Sequence, residues 1–238
     1  MVSARSAAMA FNRLADEKLD AANPRTAVRA LPAGLLKPAF VGGFVVVSAA
    51  VFVVGAAMLN RMCLELSPLA LLVVLAYSYM KRVTRWSHLV LGLALGIAPS
   101  AAWIAVRGSL DIRIIVLTVA VLLWVGGFDV LYACQDFEHD RKAGLNSVPQ
   151  AFGLEGAFWI ARGMHLGMLA MLLWLISLFG LGKTADVGVA LVALLLSYEH
   201  LIVSPRDLRR MNAAFFTLNG VISVLFFGFV AADLLLRR

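Results

Sequence analysis

Charge is scarce in this sequence. Only 15% of its 238 residues are charged, against 62% hydrophobic. A disordered chain is excluded by that balance, and a soluble domain is strongly disfavoured. Cysteine is nearly absent. Cys63 and Cys134 stand far apart, so there is neither a disulfide framework nor a zinc spacing. The four histidines, at 88, 139, 165 and 200, lack metal-ligand spacing as well. No glycine-rich phosphate loop of the nucleotide-binding kind is present, and no internal repeat or low-complexity tract stands out.

What the chain has in abundance is apolar runs long enough to cross a bilayer. They fall at 38–60, 62–80, 86–106, 112–134, 154–180, 184–203 and 213–236, with 1–20 reading as part of one more. The expectation is an all-α integral membrane protein, with residues 1–238 forming a single membrane domain. The net charge of +7 does not indicate nucleic acid, because its distribution follows topology. Thirteen basic residues sit in alternate connections: Arg13, Lys18, Arg25, Arg29 and Lys37; Lys81, Arg82 and Arg85; Arg141 and Lys142; Arg206, Arg209 and Arg210. The opposite connections hold four, Arg61, Arg107, Arg113 and Lys183. This asymmetry places the richer side in the cytoplasm, and only Arg237 and Arg238 run against it.

The few acids are concentrated. One stretch carries Asn12, Asp16 and Asp20; another carries Asp129, Asp136 and Asp140. At about 100° per residue each set shares one helix face, the second within roughly 40° of arc. Carboxylates stacked beside a membrane repel one another and are costly to desolvate. Both rows end spans on the same, basic side, so topology alone brings them face to face. Two such rows predict a divalent-cation site with a phosphorylated ligand. Mg2+ suits it, being a hard ion that takes one or two carboxylates and completes its shell with waters and phosphate oxygens. Glu17 and Glu138 point off these faces and read as solvated.

Arginine matches phosphate geometry with its fork of donors, which makes Arg25 and Arg29 candidates. Topology alone would also explain them. Lys81 could cap a helix dipole or contact phosphate, and Tyr77 could line a cavity or belong to an aromatic belt. Tyr132 lies within the second row's span. Arg5 would sit inside the membrane, which marks it as functional or buried in protein. Arg162 and His165, one turn apart, read as a structural contact. Glu199-His200 and residues 205–212 read as an interfacial loop. Gly42-Gly43 and Gly126-Gly127 read as sites of close helix packing.

Counting back from Asn12, at ~1.5 Å per residue, Met1 stops about 16 Å into a hydrocarbon core of about 30 Å. A charged amine is poorly placed there. The expectation is that a further helix, and the first half of the next, precede this start.

These residues resemble the intramembrane aromatic prenyltransferases of the UbiA superfamily. Asn12, Asp16 and Asp20 match its NDxxDxxxD motif, with Arg13 where the family often has its second acid. Asp129, Tyr132, Asp136 and Asp140 match DxxYxxxDxxxD. Residues 23–26, 29–34, 77–82 and 141–149 are family-like too, nearest the 4-hydroxybenzoate polyprenyltransferase branch. The resemblance implies nine transmembrane helices around a central cavity, about eight of them present here. It implies that Asp16, Asp129 and Asp136 carry catalysis, that Asn12, Asp16, Asp20, Asp136 and Asp140 hold Mg2+, and that Arg25, Arg29 and Lys81 bind diphosphate. Arg5, Tyr77 and Tyr132 would belong to the acceptor pocket. The implied partners are a polyprenyl diphosphate, an aromatic acid and the lipid bilayer, in an inner-membrane protein whose active site faces the cytoplasm. A naphthoate acceptor is the alternative to 4-hydroxybenzoate. A transporter would place its charges near the bilayer midplane, and these rows lie at one interface.

Overall fold

A computed structural model describes residues 1–236, without the side chains of residues 213–215; Arg237 and Arg238 lie outside the described residues. Each of the seven apolar runs becomes a helix long enough to cross a membrane. In chain order they are α3 (Pro38–Leu59), α4 (Arg61–Val83), α5 (Ser87–Arg107), α6 (Ile112–Ala133), α8 (Val148–Phe179), α9 (Lys183–Ile202) and α10 (Asn219–Leu236). Two short helices, α1 (Val2–Ala15) and α2 (Glu17–Ala22), precede them, and α7 (Phe137–Lys142) follows α6 after a 3-10 turn at Cys134–Asp136. No β-strand occurs among the described residues.

Local chemistry sets the ends. The Asn60 side chain accepts from the Cys63 N–H at 2.9 Å, capping α4, and donates to the Ile104 carbonyl at 2.9 Å, tying α4 to the far end of α5. Asp111 caps α6 through the Arg113 N–H, and Ser147 caps α8 through the Gln150 N–H. α8 starts before the expected 154, because a first turn from Val148 precedes a kink at Gly153, where φ is +73°. Only glycine adopts that angle without strain.

α6 is the hub. Half of its most apolar window is buried, more than in any other span described. One core joins Val130, Leu131 and Cys134 to Val148, Phe158, Ala161, Val203 and Met211. A second joins Ala120 to Met168, Leu172, Val189, Val192 and Ile222. Helix association in lipid depends on close packing rather than on expelling water, so small residues matter at these contacts. A Cβ on Gly127 would lie 2.5 Å from the His165 ring, and one on Gly126 would lie 2.4 Å from the Met164 methyl. The sequence expectation for Gly42 and Gly43 is corrected: nothing lies within 4 Å of a Cβ at either. Here α3 is peripheral, and Phe40, Phe44, Val46 and Val47 beside them face outward.

Two other expectations change. Glu199 and His200 are in the last turn of α9, not in a loop, and Glu199 is 1% exposed. Arg162 and His165 do not pair. Arg162 stacks on Trp159 at 4.8 Å, while His165 Nδ1 meets His200 Nε2 at 3.0 Å. One turn of helix separates Arg162 from His165, but α9 supplies a nearer partner.

The alternation of spans generates a topology test. Ala143 and Ser109 are exposed in connections on opposite ends of the bundle. In a background lacking Cys63 and Cys134, a single cysteine at each position is expected to be labelled from opposite sides of the membrane, with Ala143→Cys reached from the cytoplasm. Labelling of both from the same side contradicts the arrangement.

Candidate functional site

The two acid rows converge, although not as faces of two straight helices. α1 stops at Ala15, and Asp16 is a non-helical residue (φ −103°, ψ 8°) between α1 and α2. The second row likewise crosses the 3-10 turn that holds Asp136 before α7 resumes. Both breaks keep the acids on one side. Together they line a cavity of about 230 Å³ with Asn12, Asp16 and Asp20 on one wall and Asp129, Asp136 and Asp140 on the other. Tyr77, Lys81, Tyr132, Arg25 and Arg29 line it as well. Arg5 is not among its lining residues. It lies exposed on α1, whose one buried residue is Ala7.

Five carboxylates line this cavity: Asp16, Asp20, Asp129, Asp136 and Asp140. So do five arginines and lysines: Arg13, Arg25, Arg29, Lys81 and Arg82. Buried carboxylates without cations would be prohibitively costly, and the pairing shows how the cost is met. Arg25 lies on Asp136, with Nη2 2.5 Å from Oδ2 and Nε 3.0 Å from Oδ1. Arg29 Nη1 donates to both oxygens of Asp20, at 2.6 and 2.8 Å. Arg82 donates to Asp16 Oδ1 at 3.0 Å and to the Ala15 carbonyl, so it also closes the end of α1. Lys81 stands 3.8 Å from Asp140 Oδ2.

The segment after α2 is built to deliver its arginines. The Asn23 side chain accepts from the Arg25 N–H at 3.0 Å, a turn that Asn favours. The Thr26 hydroxyl donates to the Asp20 carbonyl at 3.0 Å, satisfying the end of α2. Asn23 Nδ2 also donates to Asp136 Oδ1 at 3.3 Å. This turn sets Arg25 over the second row and Arg29 over the first. Burial opposes the charge on Arg25, but hydrogen bonding and attraction to Asp136, and then to Tyr132, outweigh it, so its pKa stands above the ordinary value. Arg25 also donates to the Tyr132 hydroxyl at 3.2 Å and lies 5.5 Å from its ring centre. Phe11 packs edge-on against Tyr79, holding α1 against α4.

Asn23, Arg82 and His88 contribute to the site beyond the sequence candidates. Arg82 was adjacent to Lys81, a weak signal. Asn23 was visible only as part of the family-like stretch 23–26. His88 had no local signal; it reaches Asp129 from another helix, Nδ1 to Oδ2 at 2.7 Å. Glu138 is exposed and Glu17 half-buried, and neither lines the cavity.

No three His, Cys, Asp or Glu side chains among the described residues converge on one metal position. The donor chemistry nevertheless fits a hard cation shared with a ligand. Asp140 Oδ2 is buried and accepts no hydrogen bond among the described residues, and the carboxylates face one another across the cavity instead of clustering. An ion bound here would take few carboxylates and complete its shell with ligand oxygens and water, the habit of Mg2+.

The profile of the UbiA prenyltransferase family matches residues 1–221. Over 229 residues the chain is 32% identical to the 4-hydroxybenzoate octaprenyltransferase of Vibrio parahaemolyticus, covering 96% of this chain and 80% of that protein. A UbiA homolog from Aeropyrum pernix K1 shares the fold with a TM-score of 0.87 at 33% identity, over 98% of this chain and 86% of that one. A UbiA homolog from Archaeoglobus fulgidus, bound to DMAPP and Mg2+, has a TM-score of 0.71, with the same coverages; at 20% identity that likeness concerns the fold.

The Arg25–Asp136 contact, 111 residues apart, is the tie between the rows that can be measured without assaying function. Arg25→Ala is expected to lower the unfolding temperature of the detergent-solubilised protein, because it strands a buried carboxylate. Adding Asp136→Asn should return part of the loss, with a coupling of about 1–2 kcal/mol. Strict additivity of the two substitutions would show that the contact does not form.

Proposed function

The chain belongs to the UbiA prenyltransferase family and is an aromatic prenyltransferase, and from that premise we propose that it moves a polyprenyl group from its diphosphate to 4-hydroxybenzoate, with Mg2+, on the cytoplasmic side of the inner membrane. The observation that carries the reading is the set of exchangeable charges. Five carboxylates and five cations line one cavity at one end of an apolar bundle.

Asp16, Asp20, Asp136 and Asp140, with Asn12 beside them, would hold Mg2+ through their oxygens. When bound, Mg2+ supplies positive charge that stabilises the departing diphosphate. The arginines do the rest of that work. Arg25 and Arg29 offer forked donors suited to phosphate oxygens, and Lys81 and Arg82 add charge at the C-terminal end of α4. Arg25, Arg29 and Arg82 each donate to a carboxylate and Lys81 stands 3.8 Å from one, so all four are already oriented into the cavity, and little reorganisation accompanies ligand binding. As the allylic C–O bond breaks, these fixed donors face the growing negative charge. The electron-poor prenyl carbon is attacked by the aromatic ring carbon, and the ring then loses a proton. Tyr77 and Tyr132 wall the acceptor side, and Asp129 is the carboxylate there, paired with His88 and with no arginine or lysine partner among the described residues. The surrounding apolar helices exclude the water that would quench the carbocation-like group. The tail of the donor can lie among the helices or in lipid.

The V. parahaemolyticus relative supports 4-hydroxybenzoate as acceptor, and the A. fulgidus homolog supports Mg2+ and an allylic diphosphate as ligands. A transporter reading has no support in the placement of the acids, which gather at one end of the bundle.

The test uses membranes containing the protein, a polyprenyl diphosphate and a panel of aromatic acids. Transfer to 4-hydroxybenzoate is expected, stopped by EDTA and restored by Mg2+. Transfer to a naphthoate alone would change the acceptor, and full activity in excess EDTA would remove the metal. Asp16→Ala and Asp136→Ala should each abolish transfer while leaving the protein in the membrane; normal turnover by either excludes its ligand role.

A further inference from the structure

Four of the five cavity carboxylates are paired with arginine or lysine. Asp129 is paired with histidine instead. His88 begins α5 and is 1% exposed, and its Nδ1 lies 2.7 Å from Asp129 Oδ2. The other ring nitrogen, Nε2, faces the backbone N–H of Val148 at 3.4 Å, at the start of α8. A backbone N–H can only donate, so Nε2 accepts and bears no proton. The ring proton is therefore on Nδ1, where it is donated to the carboxylate. One imidazole thus joins α5, α6 and α8 through two directional contacts. The packing around it is tight: a Cβ on Gly126, three residues before Asp129, would lie 3.3 Å from the His88 carbonyl oxygen.

We propose that His88 is the positioning residue for Asp129: it fixes that carboxylate at the acceptor side of the cavity while leaving its negative charge uncancelled. An arginine in the same place would neutralise the group, as Arg25 does for Asp136. A neutral imidazole with a set tautomer orients Asp129 and uses one of its oxygens, so the carboxylate keeps the capacity to accept a hydrogen bond or a proton from the acceptor. The tautomer is set by the backbone of α8, 60 residues further along the chain, so the docking of α8 reaches the cavity through this ring. The proposal rests on the prenyl-transfer reading for its kinetic consequences, and on the geometry alone for the tautomer.

The experiment compares His88→Leu, His88→Asn, Asp129→Asn and the Leu/Asn double variant. His88→Leu is expected to lower kcat on the order of 10²-fold, the scale of a misplaced reacting group, with the KM for polyprenyl diphosphate unchanged. His88→Asn keeps an N–H donor near the Nδ1 position and should recover most of that rate. In the Asp129→Asn background, His88→Leu should cost nothing further, because its effect passes through Asp129. Equal losses in both backgrounds would overturn the proposal, as would a loss carried by KM for the diphosphate. Nitrogen NMR of the histidine-labelled, detergent-solubilised protein supplies a readout free of activity. It should show a protonated Nδ1 and bare Nε2 for the signal that His88→Asn removes, and Asp129→Asn should shift that signal. A protonated Nε2 at that signal would overturn the proposal even if His88→Leu does not fold. If the parent protein transfers no prenyl group, the prenyl-transfer reading fails, and the spectrum still decides whether His88 holds Asp129.

Discussion

A carboxylate cannot be buried at the edge of a bilayer without a partner, and that constraint organises this protein. Five acids line one cavity, and Asp20, Asp136 and Asp140 are all buried. Each needs a cation or a firm hydrogen-bond donor, and the partners arrive from three parts of the chain. Arg25 and Arg29 come from the turn after α2, Lys81 and Arg82 from the end of α4, and His88 from the start of α5. The pairs therefore do two things. They compensate charge, and they fix α1, α2, α4, α5 and α6 around a common centre.

The same pairs explain how a site so rich in charge can serve a ligand. Arginine and lysine side chains held on carboxylates are oriented before any phosphate is present, and the carboxylates are oriented before any metal is. In the proposed reaction, exchange of partners would replace intramolecular charge contacts with contacts to metal and diphosphate. The two helix breaks contribute. Asp16 and Asp136 both stand where an α-helix is interrupted, so their backbones are not confined to the rows of a straight helix.

Away from the cavity the packing obeys a different rule. α6 is the most buried of the spans and is hemmed in by α5 and α8, where glycines allow the backbones to approach. A Cβ on Gly92 of α5 would meet the Leu122 carbonyl at 2.3 Å, a contact that composition does not advertise. Behind α6, His165 and His200 hold each other in the apolar interior. The peripheral helix α3 buries only Val41, Val45, Ser48 and Ala56, and turns the rest of its surface outward.

Much of this was legible without coordinates. Apolar length, a local property, located the seven spans, and the basic residues in alternate connections predict their sidedness. The acids of 12–20 and 129–140 could be assigned to one end because topology follows from counting spans. Partner choice was not legible, because it depends on distances between helices that are far apart in sequence. Arg25 over Asp136 and His88 on Asp129 span 111 and 41 residues, and no spacing rule links them. Arg5 shows the reverse case: an intramembrane charge read as part of the pocket lies on the exposed side of α1. His200 shows it again, since a polar residue read as part of a loop lies in the last turn of α9 and pairs with a histidine on α8. Sequence by itself determined which residues must lie in the membrane and at which end the charges gather, since both follow from composition along the chain. Only the tertiary structure decided which cation faces which carboxylate, because a charge in a low-dielectric site takes the partner that packing brings within hydrogen-bond reach.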